Sequence, residues 1–166
     1  MGRKQMRIQK KRRKEFKTNY LKRLEMLKSG IPRVVFRKTN RYLISQYVES
    51  KEAQDKIIFG IDSRKILNYG WPKNLEGSLK GVTAAYFLGL LTGKKIIKDK
   101  LKTPIIDFGL YRVLPKTKLH SFVKGMIDAG VKIKDKKENF PEEDREKGKH
   151  ITSLKFEEIK SKIEKS

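Results

Sequence analysis

The chain has 166 residues, the length of one domain with tails, and its lack of cysteine excludes disulfides, thiolate catalysis and cysteine zinc sites. Its 42 Lys and Arg against 19 Asp and Glu give a formal net charge of +23. Because each neutralised phosphate releases condensed counterions, so basic a chain indicates a nucleic acid as its main partner.

Basic residues are densest at the N-terminus. Residues 1–23 contain eleven Lys and Arg but a single acid, Glu15, whereas the stretch from 134 onward is nearly balanced in charge. Such a segment repels itself when free and becomes ordered on a polyanion. We therefore predict a basic RNA-binding arm over residues 1–17; a nuclear-import signal is the alternative interpretation.

The segment KTNYLKRLEMLKSGIP (17–32) predicts a short helix. Leu21, Leu24 and Leu27 make its apolar stripe, Gly30 suits the left-handed position after its end, and a proline follows two residues later.

Three strands are predicted next. The segment RVVFRKTNRYLISQYVES (33–50) contains two β-rich runs joined by a turn near Thr39 and Asn40. A third run, KIIFGIDS (56–63), follows a polar loop. We expect these three strands to begin an antiparallel sheet.

Residues 79–99 are the longest helical candidate. Small residues recur at intervals of four, although glycine disfavours helix, so one helix face should be closely approached by a neighbour. We predict that this face packs on the sheet, and contact with RNA backbone is the alternative. The small residues are Gly77, Gly81, Ala85, Gly89 and Gly93.

The remaining segments complete a mixed α/β fold. TPIIDFG (103–109) predicts a strand after a helix, and hence a β-helix-β crossover that adds a parallel strand. An amphipathic helix is predicted from Thr117 to Gly130, followed by a short strand at 131–133. Its apolar residues are Leu119, Phe122, Val123, Met126 and Ile127.

We therefore predict antiparallel hairpin strands joined to the crossover, with helices packed on the sheet. The globular RNA-binding domain covers residues 18–133. Residues 134–166 form a C-terminal tail with a short helix through Phe156, Ile159 and Ile163.

Catalytic chemistry finds little support. Asp62 and Asp107 lie at or near strand ends and could hold a metal, so a metal-dependent nuclease is an alternative function. However, aspartates at strand ends more often cap turns, and we assign Asp107 a structural role. His120 and His150 are too far apart in sequence to suggest a metal-ligand pair. We predict no enzyme activity, no cofactor and no metal.

Membrane and nucleotide-binding functions are also disfavoured. The longest apolar run, AAYFLGLL (84–91), is far too short to span a bilayer, and no apolar segment follows the basic N-terminus as in a secretory signal. GLLTGKK (89–95) has the wrong glycine spacing for a phosphate loop. We expect a cytoplasmic protein with no membrane partner and no small-molecule substrate.

Cations interleaved with flat side chains favour structured RNA, because rings and guanidinium planes stack on unpaired bases while lysines contact phosphates. No helix-turn-helix or zinc-finger pattern points to duplex DNA. Core packing explains many of the aromatic residues equally well, and a free basic RNA chaperone is a further alternative. The predicted RNA-binding residues are Arg12, Arg13, Lys14, Lys17, Tyr20, Arg23, Arg33, Arg37, Lys38, Thr39, Asn40, Arg41, Tyr69, Trp71, Tyr111 and Arg112.

Several blocks between about residues 12 and 150 resemble, in order and spacing, the archaeal/eukaryotic branch of the universal large-subunit ribosomal protein eighteen family. The blocks are RRKEFKTNYLKRLEMLKSGIPRVVFRKTNRYLISQ, YGW, AAYFLGLLTGKK, IIDFGLYR, FVKGMIDAG and GKHI. The resemblance implies a structural ribosomal protein that binds 5S rRNA through the arm, first helix and hairpin. It also implies contacts to 23S rRNA and to neighbours such as universal protein five in the central protuberance.

Within this resemblance Asp107 organises the turn that leads to Arg112. The chain departs from the family at VLPKTK (113–118) and after DAGVKI, where Lys134 and Asp135 follow. It also lacks the long C-terminal extension of eukaryotic members, so a partner that binds that extension is expected to be absent or different.

Overall fold

The computed structural model describes residues 9–52, 54–149, 151 and 154–165, and confirms the mixed α/β fold. The helices are α1 (Lys11–Lys14), α2 (Tyr20–Lys28), α3 (Val82–Lys98), α4 (Lys118–Asp128), α5 (Glu143–Glu146) and α6 (Phe156–Glu164). The strands are β1 (Arg33–Lys38), β2 (Leu43–Lys51), β3 (Gln54–Asp62) and β4 (Ile105–Asp107). Short 3-10 helices occupy Ser63–Tyr69, Lys73–Ser78 and Lys137–Asn139. Within the described part of the chain, no helix is long and apolar enough to cross a membrane.

The strands form one sheet in the order β3-β2-β1-β4. β1 pairs antiparallel with β2 and parallel with β4, so the predicted hairpin and β-helix-β crossover are both confirmed. The prediction of a short strand at 131–133 is wrong. There the Ile133 N–H donates to the Val131 carbonyl oxygen 2.8 Å away, which forms a local turn in place of a strand.

Successive side chains of β1 point to opposite faces of the sheet. Val34 and Phe36 are fully buried on the face that α3 and α4 cover, and the Phe36 ring lies 4.7 Å from that of Phe122. Arg33 and Arg37 belong to the opposite face, together with Val35. The apolar core therefore lies on one side of the sheet, and Arg33 and Arg37 lie on the other.

Gly89 and Gly93 of α3 pack against α4, so for these two residues the prediction that they pack on the sheet is wrong. Gly77 lies in a 3-10 helix and Gly81 precedes α3 as its N-cap. A Cβ at Gly93 would lie 2.5 Å from the Cβ of Ala129, just after α4. A Cβ at Gly89 would lie 2.1 Å from the Phe122 carbonyl oxygen of α4.

The C-terminal segment shares this core. α6 forms where the sequence predicted a short helix, and its residues Ile159 and Ile163 are each 1 % exposed. The ring of Phe156 lies 4.8 Å from that of Phe87 and 5.4 Å from that of Tyr86. Residues beyond 133 thus include a helix that covers α3.

Candidate nucleic-acid interface

A cleft of about 450 Å³ lies where α1, α2, β1 and the turn after β4 meet. Its walls carry six cations, Arg12, Lys17, Lys22, Arg23, Arg33 and Arg37, and also Tyr111. All of these except Lys22 are among the predicted RNA-binding residues. The structure therefore brings six cations from residues 12–37 to one concave surface, and the turn after β4 completes its wall.

The turn after β4 is organised by Asp107. Its Oδ1 accepts a hydrogen bond from Gly109 N at 2.7 Å, and its Oδ2 accepts one from Arg37 Nη2 at 3.0 Å. Arg37 Nη1 also donates to the Asp107 carbonyl oxygen at 2.8 Å. Gly109 has a φ of +64°, a conformation that favours glycine. Asp107 therefore holds a turn and fixes the guanidinium of Arg37 in the wall of the cleft.

A second carboxylate connects α2 to the sheet. Asp55 Oδ2 lies 3.0 Å from Arg23 Nη2 and 2.6 Å from Arg33 Nη2, and its Oδ1 accepts a hydrogen bond from Ser50. Burial raises the pKa of Asp55, but the Ser50 hydrogen bond and the two arginines outweigh it and leave the pKa below its ordinary value. Arg33 is 5 % exposed, so its part in the cleft wall is mainly structural.

α1 and α2 depend on few contacts with the core, since neither helix has a buried residue. The predicted helix at 17–32 forms as α2, with Asn19 Oδ1 accepting a hydrogen bond from Lys22 N and Gly30 at a φ of +62°. Its leucine stripe does not face the core: Leu21 is 71 % and Leu24 is 49 % exposed. The described end of the arm therefore presents its side chains to solvent or a partner. Arm residues 1–8 lie outside the described residues.

The hairpin tip is held by Thr39, whose hydroxyl donates to the Tyr42 carbonyl oxygen at 2.7 Å and accepts from Tyr42 N at 3.0 Å. Asn40 and Arg41 are exposed beside it. On the other side, the Tyr111 hydroxyl accepts from Lys38 N and donates to the Lys38 carbonyl oxygen, which joins the tip to the β4 turn.

The other predicted residues are dispersed. Trp71 is 3 % exposed, and its indole N–H donates to the Leu75 carbonyl oxygen, so its ring belongs to the core and we leave it out of the proposed RNA surface. Tyr69 is half-buried against the same core. Exposed positions are occupied by Arg13, Lys14 and Arg112, while Tyr20 is half-buried with the ammonium of Lys10 over its ring.

The two aspartates of the nuclease hypothesis are far apart. Asp62 lies on β3 and Asp107 on β4, the two edges of the sheet, so roughly three strand spacings of about 4.8 Å separate them. Asp62 accepts a hydrogen bond from Arg64 N and pairs with the Arg64 guanidinium, and hydrogen bonding from Arg64 lowers the pKa of Asp62 despite burial. No group of three His, Asp or Glu placed to hold a metal occurs in the described ranges.

Comparison with known proteins identifies the family. The sequence model of a family described as "Ribosomal large subunit proteins 60S L5, and 50S L18" matches residues 4–104. The chain belongs to this family. Its similarity extends beyond the matched segment, because curated relatives named uL18 align with most of the chain.

Three archaeal relatives, each a large ribosomal subunit protein uL18, show how much of the chain the similarity covers. That of Korarchaeum cryptofilum is 40 % identical over 144 residues, which is 87 % of this chain and 72 % of the relative. That of Thermofilum pendens is 37 % identical over 147 residues, 89 % of this chain and 73 % of the relative. That of Caldivirga maquilingensis is 38 % identical over 142 residues, which is 85 % of this chain and 67 % of the relative. The uL18 family is structural and not enzymatic, in agreement with the prediction from sequence.

Proposed function

We propose that this member of the uL18 family binds 5S rRNA and helps to attach it to 23S rRNA in the central protuberance, next to universal protein five. Membership of the family makes the chain a structural protein of the large subunit in the cytoplasmic ribosome. The RNA partners and the protein neighbour are the proposed part.

The cleft lined by α1, α2 and β1 is the observation that carries the proposal. It collects six cations on a concave surface beside the exposed end of a basic arm. Arg12, Lys17 and Lys22 are its outer cations, and neither Arg12 nor Lys22 pairs with a carboxylate in the described part of the chain. Cations in this state gain most from a phosphate backbone, because no acid has to be displaced.

The inner cations of the cleft have a structural role. Arg23, Arg33 and Arg37 each pair with Asp55 or Asp107. Their geometry is fixed before RNA arrives, so they shape the floor of the cleft. We expect phosphate contacts to come from the outer cations and the arm. Stacking on unpaired bases would come from exposed planar side chains such as Arg41 and Arg112.

Binding of labelled 5S rRNA and of a tRNA of similar size to the full chain tests the proposal. We expect tighter binding of 5S rRNA, and a triple variant, R12Q/K17Q/K22Q, should lower the slope of log affinity against log salt by about 2. The matched control is K160Q/K162Q/K165Q, on and just after α6, a helix that packs on α3 on the other side of the sheet. It removes equal charge and should leave most of the slope intact.

The same titration separates the alternatives. A free RNA chaperone would bind tRNA as tightly as 5S rRNA. A metal-dependent nuclease would cleave the labelled RNA in magnesium, and D107N would abolish the cleavage. Stable, selective binding of intact 5S rRNA supports the ribosomal assignment.

A further inference from the structure

A second group of cations lies where α3 and α4 begin. The two helices run parallel, since Val82 at the start of α3 accepts a hydrogen bond from Ser121 of α4 and Gly93 near its end meets Ala129 just after α4. Both N-termini are therefore at the same end of the molecule. Lys118, the first residue of α4, reaches across and donates to the carbonyl oxygen of Lys80 at 2.8 Å.

The cations near this end of the molecule come from separate parts of the chain. Lys38 at the end of β1 lines a pocket of about 260 Å³ together with Lys118 and Arg112. Lys80 precedes α3, and Arg145 lies in α5. In the described part of the chain, none of these five cations has a carboxylate oxygen within 4.0 Å.

The contrast with the cleft is the key observation. There, four of the six cations are already paired with Asp55, Asp107 or Glu15. Around Lys118 the ammonium groups meet neutral acceptors: Lys80 Nζ donates to the Asn40 carbonyl oxygen at 3.0 Å, and Lys118 Nζ donates to that of Lys80. Like charges crowded in this way are unfavourable until an anion arrives.

Two further features raise the positive potential at this place. Neither α3 nor α4 has an acidic residue in its first turn, so the partial positive charges of both helix N-termini are not offset there. The pKa of Lys118 is lowered, first by burial and then by repulsion from Lys38, Lys80 and Arg145.

We propose that Lys38, Lys80 and Lys118 bind a phosphate group of an RNA backbone, at a site separate from the cleft. Lysine ammonium groups suit this ligand, because each has three donors and a compact charge. Tyr111 lines both concavities, and its hydroxyl holds Lys38, so it forms the wall between the two sites. The identity of the RNA as rRNA rests on the proposed function, and a chain with two sites holds RNA at two places.

Lysine footprinting of the full chain tests the site directly. The amines are acylated at matched ionic strength with no ligand, with 5S rRNA, with 23S rRNA, with tRNA and with inorganic pyrophosphate, and modification is read by mass spectrometry. We expect one of the rRNAs to slow the acylation of Lys80 and Lys118 several-fold more than pyrophosphate does. Lys160 of α6 serves as the internal control and should react equally in every sample.

Affinity measurements on variants provide a second readout. K80Q/K118Q should lower the salt slope for that rRNA by about 1.5, since two phosphate contacts contribute about 0.7–0.9 each. Lys118→Arg keeps a cationic donor and should retain most of the slope. Lys80→Gln alone keeps the backbone carbonyl that accepts from Lys118, and it removes the ammonium that donates to the Asn40 carbonyl oxygen.

Three outcomes decide the matter. Unchanged acylation at saturating rRNA, together with wild-type slopes for folded K80Q/K118Q, overturns the site. Protection by pyrophosphate but by neither rRNA also overturns it, since it shows a site for free phosphate. If the wild-type chain does not prefer 5S rRNA to tRNA, the proposed function fails instead, and protection of Lys80 and Lys118 by 23S rRNA would still support the site.

Discussion

Replacing Gly89 with alanine should force α3 and α4 apart. The added Cβ would lie 2.1 Å from the Phe122 carbonyl oxygen, whereas real Cβ atoms essentially never come closer than 3.0 Å to another heavy atom, so the backbones must separate by at least 0.9 Å. The obstacle is backbone on both sides and cannot rotate away. Overpacking of a tight core costs about 1–3 kcal/mol, occasionally more, and the better helix propensity of alanine returns about 1 kcal/mol.

We therefore expect Gly89→Ala to destabilise the fold by about 1–2 kcal/mol, which for a chain of this size lowers Tm by about 2–8 °C. Thermal unfolding followed by circular dichroism, with urea titration for the free energy, measures the change. Gly77→Ala is the matched control, because a Cβ at Gly77 meets nothing within 4 Å and the position is exposed. If the two variants unfold at the same temperature, the close helix contact that we describe is absent.

Three further predictions concern charge. Asp55→Ala leaves the buried guanidinium of Arg33 without its carboxylate. Urea titration should show a free energy of unfolding lower by about 2 kcal/mol. This is less than the full cost of breaking a buried pair, because Asp55 is partly exposed. Burial and the nearby Asp128 and Glu143 raise the pKa of Glu146 more than Lys124 lowers it. Ionisation of Glu146 is therefore less favourable in the folded than in the unfolded chain. The free energy of unfolding consequently falls as the pH rises from the ordinary glutamate pKa through the raised one. Glu146→Gln should therefore gain stability relative to the wild type as the pH rises above 4.5, the ordinary glutamate pKa, and an unchanged difference would contradict the assignment. Deleting residues 1–17 should lower the salt slope for 5S rRNA by about 4 and leave Tm nearly unchanged, because α1 buries no residue.

Much of the fold could be predicted because local chemistry decides it. The β1–β2 hairpin follows from two alternating runs around a polar turn, and Gly30 ends α2 with a positive φ as its position indicates. The spacing of apolar residues from Leu119 to Met126 similarly matches the buried side of α4. These signals lie within a few residues of the structure that they specify.

What could not be predicted depends on which distant segments meet. Four-residue spacing shows that a neighbour closely approaches Gly89 and Gly93. It does not show whether that neighbour is the sheet or, as the structure has it, α4. A leucine stripe predicts a buried helix face, yet α2 leaves Leu21 exposed because nothing else in the described chain covers it. Trp71 follows a glycine in a polar stretch, and only the packing of α3 beneath it makes it a core residue.

The candidate site was predictable in composition and not in arrangement. Arg12 and Arg37 are evident as cations, but their common cleft depends on the turn that Asp107 holds. Lys80 and Lys118 carry no sequence signal of their own. They become a cluster only because α3 and α4 run parallel and start at the same end.

Crosslinking of the native chain inside purified large ribosomal subunits tests the central claim most directly. Ultraviolet irradiation followed by sequencing of the attached RNA and mass spectrometry of the attached peptide identifies both partners of each contact. We expect peptides that contain Arg12, Lys17 or Lys22 to be joined to 5S rRNA. Crosslinks from these peptides to other RNAs alone, or a chain absent from the large subunit, would contradict the account.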